Sequence, residues 1–302
     1  HPDGKTVDLV RRAITQGGYG IIISLGGDGN IGDVAKGICE SGMANEVLLG
    51  HLPAGTANDQ GKSFGLSSAT RALEDIILYI AAGHTTSLDV GQATGYAEDG
   101  TELYRGRFFD TVGWGLSAAI LAFRNTEKEL VKKVPVVRDM YRDHLVYIRA
   151  AAHELALKWL TRDHFAAEIT VDGSSVMFDK LPDIVITNTP LYGGEWIIDS
   201  ESKHDDGIFE LATFQSIRDW TNKVFLNHKK IPVSEETANR LGIFYSPTFS
   251  GSEFQIRFIN PIKNKEIPAQ MDGEELPSTD RVSITIYPRQ LNIIVPEDFH
   301  WI

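Results

Sequence analysis

The 302-residue chain is 42% hydrophobic and 23% charged, and its 29 Lys and Arg against 41 Asp and Glu leave a net charge of −12. That composition is ordinary for a globular protein, and the negative charge argues against a general nucleic-acid binder, which needs a positive field along its surface. No apolar run approaches the roughly 18 residues of a membrane-spanning helix, and a single cysteine, Cys39, excludes a disulfide framework or a thiolate metal site within one chain.

The first 90 or so residues alternate strand and helix signals. Residues 19–25 form a short β-branched run that ends in glycines. Residues 30–41 have helical spacing and carry Cys39, read as a small core residue. Residues 46–52 are a second apolar run, closed by Pro53, and 69–82 read as a long helix stopped by Gly83. Strand, helix, strand, helix predicts a parallel sheet with helices on its faces. From Ser87 onward the segments are mostly extended: 87–91, 107–112, 166–171, 183–187, 208–213, 254–258, 281–286 and 291–295. Turn residues separate them, which predicts a β-sandwich or barrel. One helix is expected within it, over 138–160, where Leu145, Ile148, Ala152, Leu155 and Trp159 build an apolar face. The domain boundary falls near 83–88, giving an α/β domain over 1–87 and a larger, mainly antiparallel β domain over 88–302. No charged leader with an apolar stretch opens the sequence, so a cytoplasmic protein is expected.

The chemistry concentrates at the ends of the first two strands. In Ile21-Ile22-Ile23-Ser24-Leu25-Gly26-Gly27-Asp28-Gly29-Asn30-Ile31-Gly32 a buried strand runs through glycines into a helix. Glycines let the backbone approach a ligand, and a helix N-terminus offers N–H groups and partial positive charge to an anion. The segment therefore reads as a phosphate cradle, with a ligand-free glycine turn as the bland alternative. Gly27, Gly29 and Gly32 also fit the dinucleotide fingerprint of a Rossmann oxidoreductase. That reading asks for a ribose-binding acid at the end of the next strand. The next strand ends in His51-Leu52-Pro53 instead, and Asp28 would repel pyrophosphate inside the turn. The second strand runs into Pro53-Ala54-Gly55-Thr56-Ala57-Asn58-Asp59. There Thr56 and Asn58 are candidates for phosphate or ribose, and Asp59 for a helix cap. Both turns end neighbouring strands and should face one crevice.

Gly26-Gly27-Asp28-Gly29 followed by Pro53–Asp59 resembles the diacylglycerol kinase catalytic family, whose relatives include YegS-type, sphingosine and ceramide kinases and, more distantly, NAD kinases. Leu88-Asp89-Val90-Gly91, the segment 188–194, Asp205-Asp206-Gly207-Ile208-Phe209-Glu210-Leu211 and Met271-Asp272-Gly273-Glu274 resemble later motifs of the same family. The resemblance implies an ATP- and Mg²⁺-dependent kinase that phosphorylates a lipid hydroxyl of the diacylglycerol type. ATP would contact Gly26, Gly27, Asp28, Gly29, Asn30, Ile31, Gly32, Gly55, Thr56 and Asn58. Asp28 would serve Mg²⁺ or catalysis. Glu274 and Asp272 are the candidates for general base and metal ligand, with Glu274 favoured as base. A structural Mg²⁺ would take the carbonyls of Lys203 and Ile208 and the carboxylate of Asp206. The implied partners are ATP, the lipid alcohol, a membrane met at its periphery and a second copy of the chain, with no nucleic acid. The basic run Lys128, Lys132, Lys133, Arg138 and Arg142 and the helix that follows are candidates for the lipid side.

The chain departs from the family where Asn30 replaces the usual Thr and Gly32-Asp33 the usual Asn-Glu. Members also open with a strand and an Asn-Pro-x-x-Gly loop; none precedes His1, so the 1–87 domain is expected to lack its first strand. These departures keep a non-catalytic lipid- or nucleotide-binding relative in view beside the kinase.

Overall fold

A computed structural model describes residues 4–55, 58–66, 71–132, 164–189, 191–192, 196–197, 202–226, 235–240, 246–259 and 266–300. The helix expected over 138–160 lies outside them, as does Thr56.

The chain opens with α1 (Thr6–Thr15), then β1 (Ile21–Gly26), α2 (Asp28–Glu40), β2 (Leu48–Pro53), α3 (Asp59–Ser63) and α4 (Leu73–Ala82). α2 buries Ile31, Val34, Ala35, Ile38 and Cys39, one stripe at helical spacing. Burial pushes the Cys39 thiol up to about 11, as expected of an inert core cysteine. α2 seats closely on α1 because Gly37 has no side chain: a Cβ there would lie 2.7 Å from Val10 Cβ. β1 and β2 pair in parallel, with Gly26 opposite Pro53, as predicted. The helix begins at Asp28 rather than Asn30, so the glycine turn is tighter than the sequence spacing suggested.

The antiparallel part contains β3 (Thr85–Tyr96), β4 (Glu102–Phe108), β5 (Thr111–Gly115), α5 (Leu116–Lys132), β6 (Phe165–Val171), β7 (Ser174–Leu181), β8 (Asp183–Thr187), the short pair β9 (Leu191–Tyr192) and β10 (Trp196–Ile197), β11 (Phe209–Phe214), β12 (Thr248–Gly251), β13 (Glu253–Ile259), β14 (Ala269–Met271), β15 (Glu274–Leu276) and β16 (Arg281–Ile294). β13 and the first half of β16 alternate exposed and buried residues, as a sheet with one wet face requires. β8 and β11 are buried at every position, so both faces of their sheet are covered. α5, a helix that the sequence reading did not place, covers one end. Its Ser117 donates backbone N–H and Oγ–H to Asp183 Oδ1 (3.1 and 2.9 Å), and Trp220 Nε1–H donates to Asp183 Oδ2 (2.7 Å).

Two sheets make the sandwich. One runs β12-β11-β8-β5-β14-β15; the other runs β1-β2-β16-β13-β6-β7, with β3 and β4 branching from β16. Trp114, Ile184, Ile186, Phe209 and Leu211 from the first meet Phe254, Ile256, Val282 and Ile284 from the second in one core. A separate core beneath α1, α2 and β2 includes Leu291, Ile293 and Val295. β16 joins the two regions. Its first half pairs with β13, its register shifts between Tyr287 and Leu291, and its end lies parallel to β2, with Asn292 opposite Leu48. The parallel sheet is thus completed by the far end of the chain.

Among the described residues, β1 pairs with β2 alone and forms an edge of its sheet. On one face of it Ile21, Ile23 and Leu25 are 52%, 48% and 64% exposed; Leu73, Ile77 and Leu78 of α4 are exposed as well.

Candidate active site

The two glycine turns touch. A Cβ on Gly55 would stand 2.3 Å from Gly27 Cα and 2.7 Å from Asn58 Oδ1. Real Cβ atoms do not approach backbone that closely, so glycine at 55 is a condition of the crevice. Asn58 holds the second turn from inside. Its backbone is left-handed (φ 50°). Its Oδ1 accepts from Gly55 N–H at 2.9 Å, and its Nδ2–H donates to Gly55 O at 2.6 Å. Asp28 reaches across from the first turn, where its Oδ1 accepts the Gln60 N–H at 3.1 Å, at the start of α3. Asn30 turns its amide back, with Nδ2–H donating to Ser24 Oγ at 2.8 Å. The α2 N-terminus, capped by the extended Gly27, presents its first turn beside both loops. Ile31 faces the core and could contribute only backbone to a ligand.

The Asp272-Gly273 turn joins β14 to β15 and sits against the β4–β5 turn. Asp272 N–H donates to Thr111 O at 2.8 Å. Its carboxylate accepts three backbone N–H groups: Phe109 at 2.9 Å, and Asp110 and Thr111 at 3.0 Å each. Burial pushes this carboxyl up to about 6, against the pull of those donors and of Lys36. Glu274, two residues on, is 58% exposed, and its Oε2 lies 3.3 Å from Lys36 Nζ. Lys36 is on α2, so the hairpin from the antiparallel region lies along the flank of the helix that begins at the first glycine turn. Asp33, on the same flank, is pushed up by burial, drawn down by Lys36 and pushed up by Glu274. Sequence reasoning did not single out Lys36. Its only signal was its place on the face of α2 shared by Gly29, Gly32 and Asp33.

Against known sequences, residues 1–93 match the family model described as "Diacylglycerol kinase catalytic domain". This N-terminal segment is similar to the diacylglycerol kinase catalytic family. Within it, curated proteins named diacylglycerol kinase are 39% identical over 74 residues in Staphylococcus epidermidis and 40% over 74 residues in Staphylococcus haemolyticus. Each stretch is 24% of this chain and 22% or 21% of the relative. The sequence match therefore spans about a fifth of the relatives' length. The fold likeness runs further: a crystal structure of a diacylglycerol kinase from Bacillus anthracis covers 97% of this chain and 82% of its own at a TM-score of 0.64 and 17% identity. Both the parallel and the antiparallel regions thus share that architecture.

The matched segment ends on β3, close to where that strand meets the 203–208 loop. Asp89 Oδ1 accepts Arg289 N–H and its Oδ2 accepts Gly207 N–H, both at 2.6 Å. Burial pushes the Asp89 carboxyl up; those two donors draw it down, and Asp206 and Asp205 push it up again. Asp206 Oδ1 accepts the Ile208 N–H at 3.1 Å. Among the described residues no three His, Cys, Asp or Glu side chains gather as a metal site. The Lys203–Asp206–Ile208 set supplies two carbonyls and one carboxylate, an all-oxygen donor set of the kind Mg²⁺ takes, in a loop crowded with negative charge. Asn188 is fully buried behind this loop, donating to Asp89 O at 2.9 Å and Phe109 O at 3.1 Å. It ties the start of β3 to the turn that Asp272 clamps. No helix among the described residues is long and apolar enough to cross a membrane.

Proposed function

We propose that the chain transfers the γ-phosphoryl group of ATP to the hydroxyl of a lipid alcohol of the diacylglycerol type. The observation that carries this reading is the Lys36–Glu274 contact at 3.3 Å, which lays the Asp272 hairpin along the helix that opens at the glycine turn. Lys36 lies eight residues from Asp28, roughly 12 Å along α2. The triphosphate and the acceptor hydroxyl would meet in that interval.

In this reading the backbone of Gly26, Gly27, Gly29, Asn30, Ile31, Gly32 and Gly55 cradles phosphates, and Thr56 and Asn58 belong to the second nucleotide turn. Asp272 is the general base. Its carboxylate is fixed by three N–H donors, and burial puts its affinity for a proton in the range useful at neutral pH. The lipid oxygen attacks the γ-phosphorus as its proton passes to Asp272, the bond to the β,γ-bridging oxygen breaks, and ADP leaves. Glu274, exposed and paired with a cation, is the weaker candidate for that proton. Asp28 would hold the metal that travels with the nucleotide. Mg²⁺ supplies charge neutralisation to the triphosphate, and a second ion held by Lys203 O, Asp206 and Ile208 O would brace the loop behind Asp89. The chain divides into an ATP-binding region over 1–87 and a lipid-substrate region over 88–302. It acts in the cytoplasm at the membrane periphery, alone or as a homodimer.

A second reading, a non-catalytic lipid or nucleotide binder, draws on Asn30. Where the resemblance expects a Thr, this amide points back to β1. A panel assay with labelled ATP, Mg²⁺ and several lipid alcohols in mixed micelles separates the two. Label in a lipid, abolished in Asp28→Asn and Asp272→Asn variants that remain folded, is the expected result. Lipid binding with no label in any lipid would select the second reading.

A further inference from the structure

α2 carries three glycines inside or near its first turns, although each costs a helix about 1 kcal/mol relative to alanine. Gly37 is explained by its contact with α1. Gly29 and Gly32 are not: among the described residues a Cβ at either would meet no atom within 4 Å. They share one face with Asp33 and Lys36, at helical positions i, i+3, i+4 and i+7. At its N-terminal end Gly29 is exposed, whereas Gly32 is buried. At its other end Lys36 reaches over to Glu274 of the β14–β15 hairpin.

Lys36 is 19% exposed and Glu274 58%. The bond itself is open to solvent, where an ion pair contributes little to stability, so its weight lies in what it joins. Lys36 also acts on the charges of Asp33 and Asp272. The pair joins residues 238 positions apart, one on the helix of the phosphate turn and the other two residues beyond the proposed base. We infer that Lys36 is a positioning residue for the transfer reaction. It is the tie that sets the gap between α2 and the acceptor hairpin. This inference rests on the proposed kinase reading. Lys36 would act through Glu274 on the placement of Asp272, not on the nucleotide, whose cradle lies at the other end of the helix.

The experiment compares wild type, Lys36→Met, Lys36→Arg, Glu274→Gln and the Lys36→Met/Glu274→Gln double variant. Steady-state kinetics with diacylglycerol micelles are read alongside amide hydrogen exchange over residues 269–276. Lys36→Met should lower kcat about tenfold with KM for ATP unchanged, a loss confined to the reacting geometry. Lys36→Arg should restore most of it. The double variant should be no worse than the worse single, as a shared contact requires, and exchange in the hairpin should rise in Lys36→Met. A Lys36→Met enzyme within about twofold of wild type, or strictly additive losses in the double variant, would overturn the inference while leaving the kinase reading intact. Should wild type label no lipid at all, the kinase reading falls. Hairpin exchange then still decides the tie: unchanged exchange in Lys36→Met would refute it.

Discussion

Two hairpins of this molecule are built alike. Asp172-Gly173 turns β6 into β7, and Asp272-Gly273 turns β14 into β15. Both aspartates are left-handed, at φ 45° and 48°, and both glycines follow at φ 83° and 84°. This is the tight turn that matches strand twist. In each, the aspartate N–H donates to a carbonyl of a neighbouring turn, Glu253 O for one and Thr111 O for the other. Each carboxylate then accepts that turn's N–H groups: Ser252 and Glu253 bond to Asp172, and Phe109, Asp110 and Thr111 bond to Asp272. As staples they are equivalent. What differs is the setting. Asp172 makes its bonds in solvent, and Ser174 follows it. Asp272 is covered beside α2, and Glu274 follows it, paired to Lys36. A chemical group becomes a candidate base through what surrounds the turn, not through the turn itself.

The comparison breaks most visibly on substitution of the two aspartates. Asp272→Asn is expected to lower turnover about 10²–10⁴-fold, the usual worth of a general base. Asp172→Asn should leave turnover untouched and cost about 1 kcal/mol of stability as its staple weakens. Kinetics and urea melts on both variants test this, and equal turnover in the two would remove Asp272 from the chemistry. Turnover of wild type should also fall as pH drops below about 6, where Asp272 takes up its proton.

Stability against pH sharpens the contrast. Asp272 has its folded value raised to about 6 from 3.8, so the native state holds more protons than the unfolded one between those values. Its contribution to stability therefore falls as pH rises through that window. His51, fully buried in β2, is lowered by burial to about 4 from 6.5. There the unfolded state holds more protons, and stability is lost as pH falls from 6.5 towards 4. The two terms oppose each other over nearly the same range, each worth at most about 3 kcal/mol. Denaturation of wild type between pH 4 and 6.5 should show little slope from this pair. Asp272→Asn should uncover the His51 loss and steepen acid destabilisation, whereas Asp172→Asn should not. A Asp272→Asn melt series parallel to wild type would contradict the raised value.

The smallest effect is expected at the glycines. A Cβ at Gly173 or Gly273 would meet nothing within 4 Å, so alanine at either pays only for its left-handed backbone, about 1 kcal/mol. The two melts should match. Only Gly273→Ala should also reduce kcat, by moving Asp272 and Glu274 relative to α2. Matching kinetics would mean that the hairpin tolerates displacement.

Nothing in the residues 172–173 and 272–273 separates them, which is why a sequence alone reads either as an ordinary turn. The parallel β1–β2 pair and the glycine turns were legible because strand, turn and helix signals sit within a dozen residues of one another. Asn58 was read as a ligand contact, whereas its bonds to Gly55 show a structural task that no local pattern announces. α5 went unplaced because a run such as Leu116-Ser117-Ala118-Ala119 is anchored by Asp183, far along the chain. Lys36 could not be singled out at all, since its meaning depends on Glu274 arriving from the opposite end of the sequence. The parallel pairing of β16 with β2 is of the same kind. Alternation in β16 predicts a strand and says nothing of its neighbour.

The edge that β1 forms among the described residues has a colloidal consequence. An extended peptide paired along it would satisfy the strand's outward amides, and Ile21, Ile23 and Leu25 on the adjoining face would add apolar surface for a further layer, which makes this edge a template for assembly. Light scattering on concentrated protein should report net attraction between molecules, and Ile23→Lys, which puts a charge in the middle of that row, should turn it towards repulsion with little change in melting temperature.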